Sequence, residues 1–237
     1  MRSGLWLCAL IGLWTSPVAA DIVSAEYTQP TTRYDHGILG DSVEYGALRI
    51  ITDTQSGSAP LGQITIVLPW DHVFEDITPR LADIDNDGDL EVIVIETDIS
   101  KGAAIAIYDE TGKITETQHI GSTHRWLAPI GIADFNGDGD VDIAYIDRPH
   151  LAKKMRVVSY RDGRLVKVAK ASKLTNHKIG WDFIAGGVRD CGSGPEMITA
   201  DGAWRNIVAT QLVGRNLVSE KIGTYNGPDS LKAALSC

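Results

Sequence analysis

Apolar residues in this chain come in short runs of β-branched and aromatic type, separated by glycine and acidic turns. The clearest stretch reads "PIGIAD", an acidic loop, "DIAYID", then "MRVVSY", "DG" and "RLVKVA". Runs of this length bounded by turn residues predict four short antiparallel strands, the last two joined by a tight hairpin. The pattern repeats. Gly62 in "LGQITIV", Gly112 in "TGKITET", Gly163 in "DGRLVKV" and Gly214 in "VGRNLVS" recur at spacings of 50, 51 and 51 residues, each between two β-rich stretches. Each glycine therefore reads as a hairpin turn. Only "DSLKAAL", near the C-terminus, offers one or two helical turns.

Four strands at a period near 50 residues predict blades, which bury their faces only against neighbours packed around an axis. The expected fold is all-β: a small β-propeller of about four four-stranded blades, with a period of about 51 residues and filling residues 21–237.

The acidic loops keep the same register. "DIDNDGDLE" spans residues 83–91 and "DFNGDGDVD" spans 134–142, an offset of 51. The first loop sets Asp83, Asp85 and Asp87 at alternate positions, then Gly88, then Glu91; the second sets Asp134, Asn136, Asp138, Gly139 and Asp142 likewise. Alternate oxygens on a turn that glycine allows to bend converge on one point, and the carbonyls of Asp89 and Asp140 add another oxygen each. Such an all-oxygen cage suits a hard cation of calcium size. An EF-hand is excluded, because its bidentate glutamate position falls on Val94 or Tyr145 inside strand-like runs. The competing reading is a solvated acidic turn. Against it, several carboxylates within about 5 Å repel by several kcal/mol at intermediate dielectric, and neither loop supplies a basic partner.

Composition narrows the setting. With 43% hydrophobic and 22% charged residues the chain is globular, and its net charge of −9 argues against nucleic acid or an anionic membrane surface as partner. Residues 1–20 read as a signal peptide: Arg2, an apolar run from Leu5 to Trp14, and Val18-Ala19-Ala20 before an expected cleavage ahead of Asp21. The competing reading is a retained anchor, for which the run is short. Cleavage removes Cys8 and leaves Cys191 and Cys237, an even pair for an oxidising compartment, periplasm or extracellular space. A Cys191–Cys237 disulfide is expected, with two buried thiols as the alternative.

These residues resemble a known family. "ADIDNDGDLEVIVI" and "ADFNGDGDVDIAYI" are similar to the FG-GAP/VCBS repeats of integrin α-subunit propellers and of many secreted bacterial proteins. The resemblance implies a propeller with calcium in the loop between strands 1 and 2 of the middle blades. It carries ligand roles onto Asp83, Asp85, Asp87, Asp89 and Glu91, and onto Asp134, Asn136, Asp138, Asp140 and Asp142. Unit four departs from the motif with Arg189, Cys191 and Ser193 at ligand positions, and unit one lacks the loop. Two calcium sites are thus expected, the disulfide replacing the metal as tether in unit four.

Three of the six histidines recur in register ahead of strand 1: His72, His124 and His177, spaced 52 and 53 residues. With Arg33 and Arg125 matching in position, and Lys178 beside His177, they mark a possible ligand site at the channel end opposite the calcium loops. The alternative is that they brace corners between blades. No nucleophile motif, zinc spacing or phosphate loop is present. The expectation is an exported calcium-binding interaction module, calcium being structural, for a protein or glycan ligand. The alternative is a propeller hydrolase or lyase working at the histidine end.

Overall fold

The third unit shows how the pattern becomes structure. In the computed structural model, which describes residues 21–53 and 62–237, Leu127–Ala133, Asp142–Asp147, Lys154–Arg161 and Arg164–Ser172 form a four-stranded antiparallel meander, numbered β9 to β12. Residues 1–20, expected to be a signal peptide, lie outside the described residues, and so does the expected cleavage. Strand β10 is buried along its whole length, as a continuous apolar run requires when both faces are covered. Strand β12 is the solvated edge, and its lysines, Lys167 and Lys170 among them, discourage pairing with another chain. The β11–β12 turn is Asp162-Gly163, both with positive φ (50° and 74°), which is what a two-residue hairpin demands.

Units two and four keep this order but break the first strand. In unit two, β4 (His72–Phe74) and β5 (Arg80–Ala82) both pair with β6 (Glu91–Asp98), which is followed by β7 (Gly102–Asp109) and β8 (Gly112–Glu116). In unit four, β13 (Leu174–Thr175) and β14 (Gly187–Asp190) both pair with β15 (Pro195–Asp201), ahead of β16 (Asn206–Val213) and β17 (Asn216–Thr224). Residues 75–79 and 176–186 are the excursions that interrupt those strands.

The first unit has three described strands, β1 (Asp21–Thr31), β2 (Glu44–Asp53) and β3 (Gly62–Val67). A Tyr45–Phe74 pair fuses it to unit two, so the described residues form sheets of eight, four and five strands. The fold is all-β as expected, while the separate four-stranded unit is realised in unit three alone. The fusion follows from a short link: Val67 to His72 turns straight from β3 into β4, which leaves β4 beside the start of β2.

Two apolar clusters fill the spaces between units. One packs units two, three and four together through Ile93, Ile105, Trp126, Tyr145 and Met197. The other packs unit one on unit two through Leu48, Ile50, Phe74 and Val94. A third, smaller cluster seats Leu231 of α1 (Pro228–Ala233) against β15 and β16. Contact between units three and four is close enough to require glycine: a Cβ at Gly131 would lie 2.4 Å from Val188 Cγ2. Among the described residues, no helix is long and apolar enough to cross a membrane.

Because the strands alternate direction, the β5–β6, β9–β10 and β14–β15 loops share one end. Asn86 Nδ2 donates to Gly139 O (3.1 Å), and Asn136 Nδ2 donates to Gly214 O (3.3 Å), so each acidic loop touches the next unit. The histidine-bearing connections lie at the opposite end.

Candidate functional site

The first acidic loop folds on its own carboxylates. Asp83 Oδ1 accepts from the Asp87 amide (3.1 Å) and Oδ2 from the Gly88 amide (3.1 Å), while Asp87 Oδ1 accepts from the Asp89 amide (2.9 Å). Asn86 and Gly88 take positive φ to close the bend. Glu91, at the first residue of β6, turns inward, and its Oε2 accepts from the Ile84 amide (2.8 Å). Oxygens of Asp83, Asp85 and Glu91 thereby lie within 4.8 Å of one another. Burial, then the neighbouring carboxylates, pushes the Glu91 carboxyl up to about 7, and the same causes raise Asp85. Three acids held this close with only oxygen donors fit a hard cation. Asp87 and Asp89 stand outside this trio of oxygens.

The second loop repeats the turn. Asp134 accepts from the amides of Gly137 (2.7 Å), Asp138 (3.2 Å) and Gly139 (2.9 Å), and Asp142 accepts from the Phe135 amide (3.3 Å) and the Ser159 hydroxyl. Its electrostatics differ, however. Arg161, at the end of β11, pairs with Asp138 (2.8 Å) and Asp140 (2.5 Å). Asn136 turns its amide nitrogen to Asp138 Oδ2 (3.0 Å). The expectation that the loops have no basic partner is thus corrected for loop two: the base lies over twenty residues away in sequence. Unit two has Asp109 after Tyr108 where unit three has Arg161 after Tyr160, so loop one gains no such cation.

In unit four the same corner is closed covalently. Cys191 and Cys237 form a disulfide with Cα atoms 5.6 Å apart, and Asp190 Oδ1 accepts from the amides of Gly192 (2.7 Å) and Gly194 (3.2 Å). Arg189 pairs with Glu196 (2.8 Å) and donates to Ala234 O (2.8 Å), binding the C-terminal segment to the sheet.

At the opposite end the histidines in register take separate partners. His72 Nδ1 meets Asp71 (3.0 Å), and its carbonyl accepts from Arg33 Nε (3.1 Å). His124 is held between Thr123 (2.9 Å) and Asp35 (2.8 Å), and Arg125 donates to the His124 carbonyl (2.7 Å). His177 is buried, with Nε2 on Trp181 O (2.9 Å) and Nδ1 on His150 Nε2 (3.0 Å). These are bracing contacts, and His72, His124 and His177 do not converge on one catalytic arrangement. What does gather there is His36, His124 and His150, around a cavity of about 230 Å³. His36 Nδ1 contacts Glu75, whose other oxygen accepts from Thr97 Oγ1 (2.6 Å). Sequence reasoning missed His36, Glu75 and His150 because none lies on the 51-residue register.

A buried acid behind this end makes a pH prediction. Burial, then the charge of Glu75, pushes Glu44 up to about 9. A carboxyl raised in the fold contributes stability fully below its unfolded pKa near 4.3, and loses it as pH rises toward 9. Glu44→Gln should therefore match the wild type near pH 4 and exceed it increasingly above, by up to ~5 kcal/mol at pH 8. Urea midpoints across that range check it; a difference independent of pH would contradict the assignment.

Residues 45–145, spanning β2 to most of β10 and the whole of both acidic loops, match the model of the FG-GAP-like repeat. Comparison with curated proteins gives no match.

Proposed function

We propose that this FG-GAP-like repeat chain is an exported, calcium-stabilised β-propeller module that presents its surface to a protein or glycan partner. The observation that carries the reading is the Asp83, Asp85 and Glu91 trio, three carboxylate oxygens within 4.8 Å in a repeat-family loop without a basic partner. Calcium bound there supplies the positive charge that lets these acids stay ionised together. Asp83, Asp85 and Glu91 would hold it from the side chains, with Asp87 and the Asp89 carbonyl completing the shell. In loop two Asp134, Asn136, Asp138, Asp142 and the Asp140 carbonyl would do the same once Arg161 releases Asp138. Loop one is accordingly the stronger site, and both are structural, since each cage closes a turn between strands. The disulfide supports an oxidising destination. An acidic net charge favours a partner with neutral or basic contact groups over nucleic acid.

Melting curves test the reading. Extracellular calcium modules commonly bind at dissociation constants of about 10⁻⁴ to 10⁻³ M. At tenfold excess over the dissociation constant each site adds about 1.4 kcal/mol. Chelation should lower the melting temperature of the wild type. Asp85→Ala should remove most of that response, Asp138→Ala the smaller part, and the double variant all of it. Magnesium should substitute poorly, because it requires a smaller octahedral shell. A melting curve unmoved by chelator would return both loops to plain acidic turns. Capture of a partner from the exported fraction, with and without chelator, tests the interaction role.

A further inference from the structure

The cavity at the histidine end is built as a ligand pocket. Ile38 and Trp126 form its walls, and Leu151 and Ile179, 63% and 69% exposed, stand at its mouth. Its 230 Å³ is near the lower bound, roughly 300 Å³, of small-molecule pockets, which pair apolar walls with a few convergent polar groups.

The polar groups have defined hydrogen-bonding states. The Trp181 carbonyl only accepts, so His177 Nε2 carries a hydrogen, and in this buried neutral ring Nδ1 is bare. A bare Nδ1 accepts, so His150 Nε2 carries a hydrogen and His150 Nδ1 is left as a lone pair. Burial and the neighbouring His177 push His150 down to about 4, in keeping with that neutral state. No donor among the described residues reaches His150 Nδ1. Arg125 spends one nitrogen on the His124 carbonyl and has no carboxylate partner among the described residues. A second lining guanidinium, that of Arg148, is already paired with Asp147 (2.7 Å), so the pocket offers one uncommitted cation, Arg125, and one strong acceptor between apolar walls.

Aromatic contacts anchor one wall. Lys178 Nζ sits over the rings of Trp204 (4.7 Å), Tyr225 (5.3 Å) and Trp181 (5.5 Å), which pins the segment bearing His177 and Ile179.

We propose that this cavity binds a small organic carboxylate that has an apolar body and a hydroxyl donor, its carboxylate on Arg125 and its hydroxyl on His150 Nδ1. The apolar body would lie between Ile38, Leu151 and Ile179. Phosphate fits less well, because the bare His150 nitrogen repels its oxygens and a single free guanidinium supplies too few donors. The site lies at the end opposite the acidic loops and goes beyond their reading.

Calorimetric titration with phenyllactate and with 3-phenylpropionate, which lacks the hydroxyl, tests it at pH 7.5. Phenyllactate should bind at least roughly tenfold more tightly, since a site built to bond a hydroxyl penalises its absence. Arg125→Gln should weaken phenyllactate at least about tenfold, and His150→Phe should abolish the preference between the two acids. Both variants are to be checked by melting for a retained fold. The affinity should hold when chelator replaces calcium, which separates this pocket from coordination at the loops. Absence of binding by either acid, equal binding of the two by the wild type, or loss of binding when calcium is chelated would overturn the proposal.

Discussion

Trp126→Ala should destabilise the fold by about 3–5 kcal/mol, the range for deleting a large buried aromatic. The ring is 2% exposed and packs on His177 at 4.9 Å between centroids, while its indole nitrogen donates to Glu75 O at 2.7 Å. One side chain in unit three thus bonds the excursion of unit two and packs against that of unit four. Its loss leaves a cavity and an unpaired buried carbonyl together. Trp126→Phe keeps much of the packing and drops the hydrogen bond, so it should cost less, about 1–3 kcal/mol. Urea unfolding measures both, and a Trp126→Ala cost below about 1 kcal/mol would show that the units do not cooperate through this residue.

Opening the disulfide should be the other large effect. Cys191 and Cys237 are 46 residues apart, and closing such a loop stabilises by up to ~4 kcal/mol through restriction of the unfolded chain. The bond also holds the chain end to a corner that has no acidic cage. The Cys191→Ala, Cys237→Ala double variant should lose about 2–4 kcal/mol, and reductant should bring the wild type to the same level without affecting the variant. Two alkylatable thiols in the unreduced wild type would contradict the pairing.

The repeat was legible because its markers are local. Gly163 and Gly214 must sit at tight turns and take positive φ there, and the loop carboxylates bond amides only two to seven residues away. The cysteine pairing was legible by parity. Features that depend on distant neighbours were not. Nothing at Tyr45 or Phe74 announces that their pairing fuses two units, and Arg161 meets Asp138 only because β11 runs back past the loop. Likewise His36 and Glu75 meet because an irregular connection and an interrupted strand come together off the period. Periodicity finds what each unit repeats. It is blind to what a unit adds once, and the cavity at the histidine end is made of such additions.

Equilibrium dialysis, by counting bound calcium, decides whether the acidic loops are cation sites. The wild type should take up calcium saturably at sub-millimolar to millimolar concentration, filling loop one first and loop two after it. Asp83→Ala, which removes one of the three clustered oxygens and the loop's main amide acceptor, should abolish the tighter uptake and leave the weaker. No saturable uptake by the wild type, or an Asp83→Ala variant that binds as the wild type does, would mean that loop one is not a calcium site.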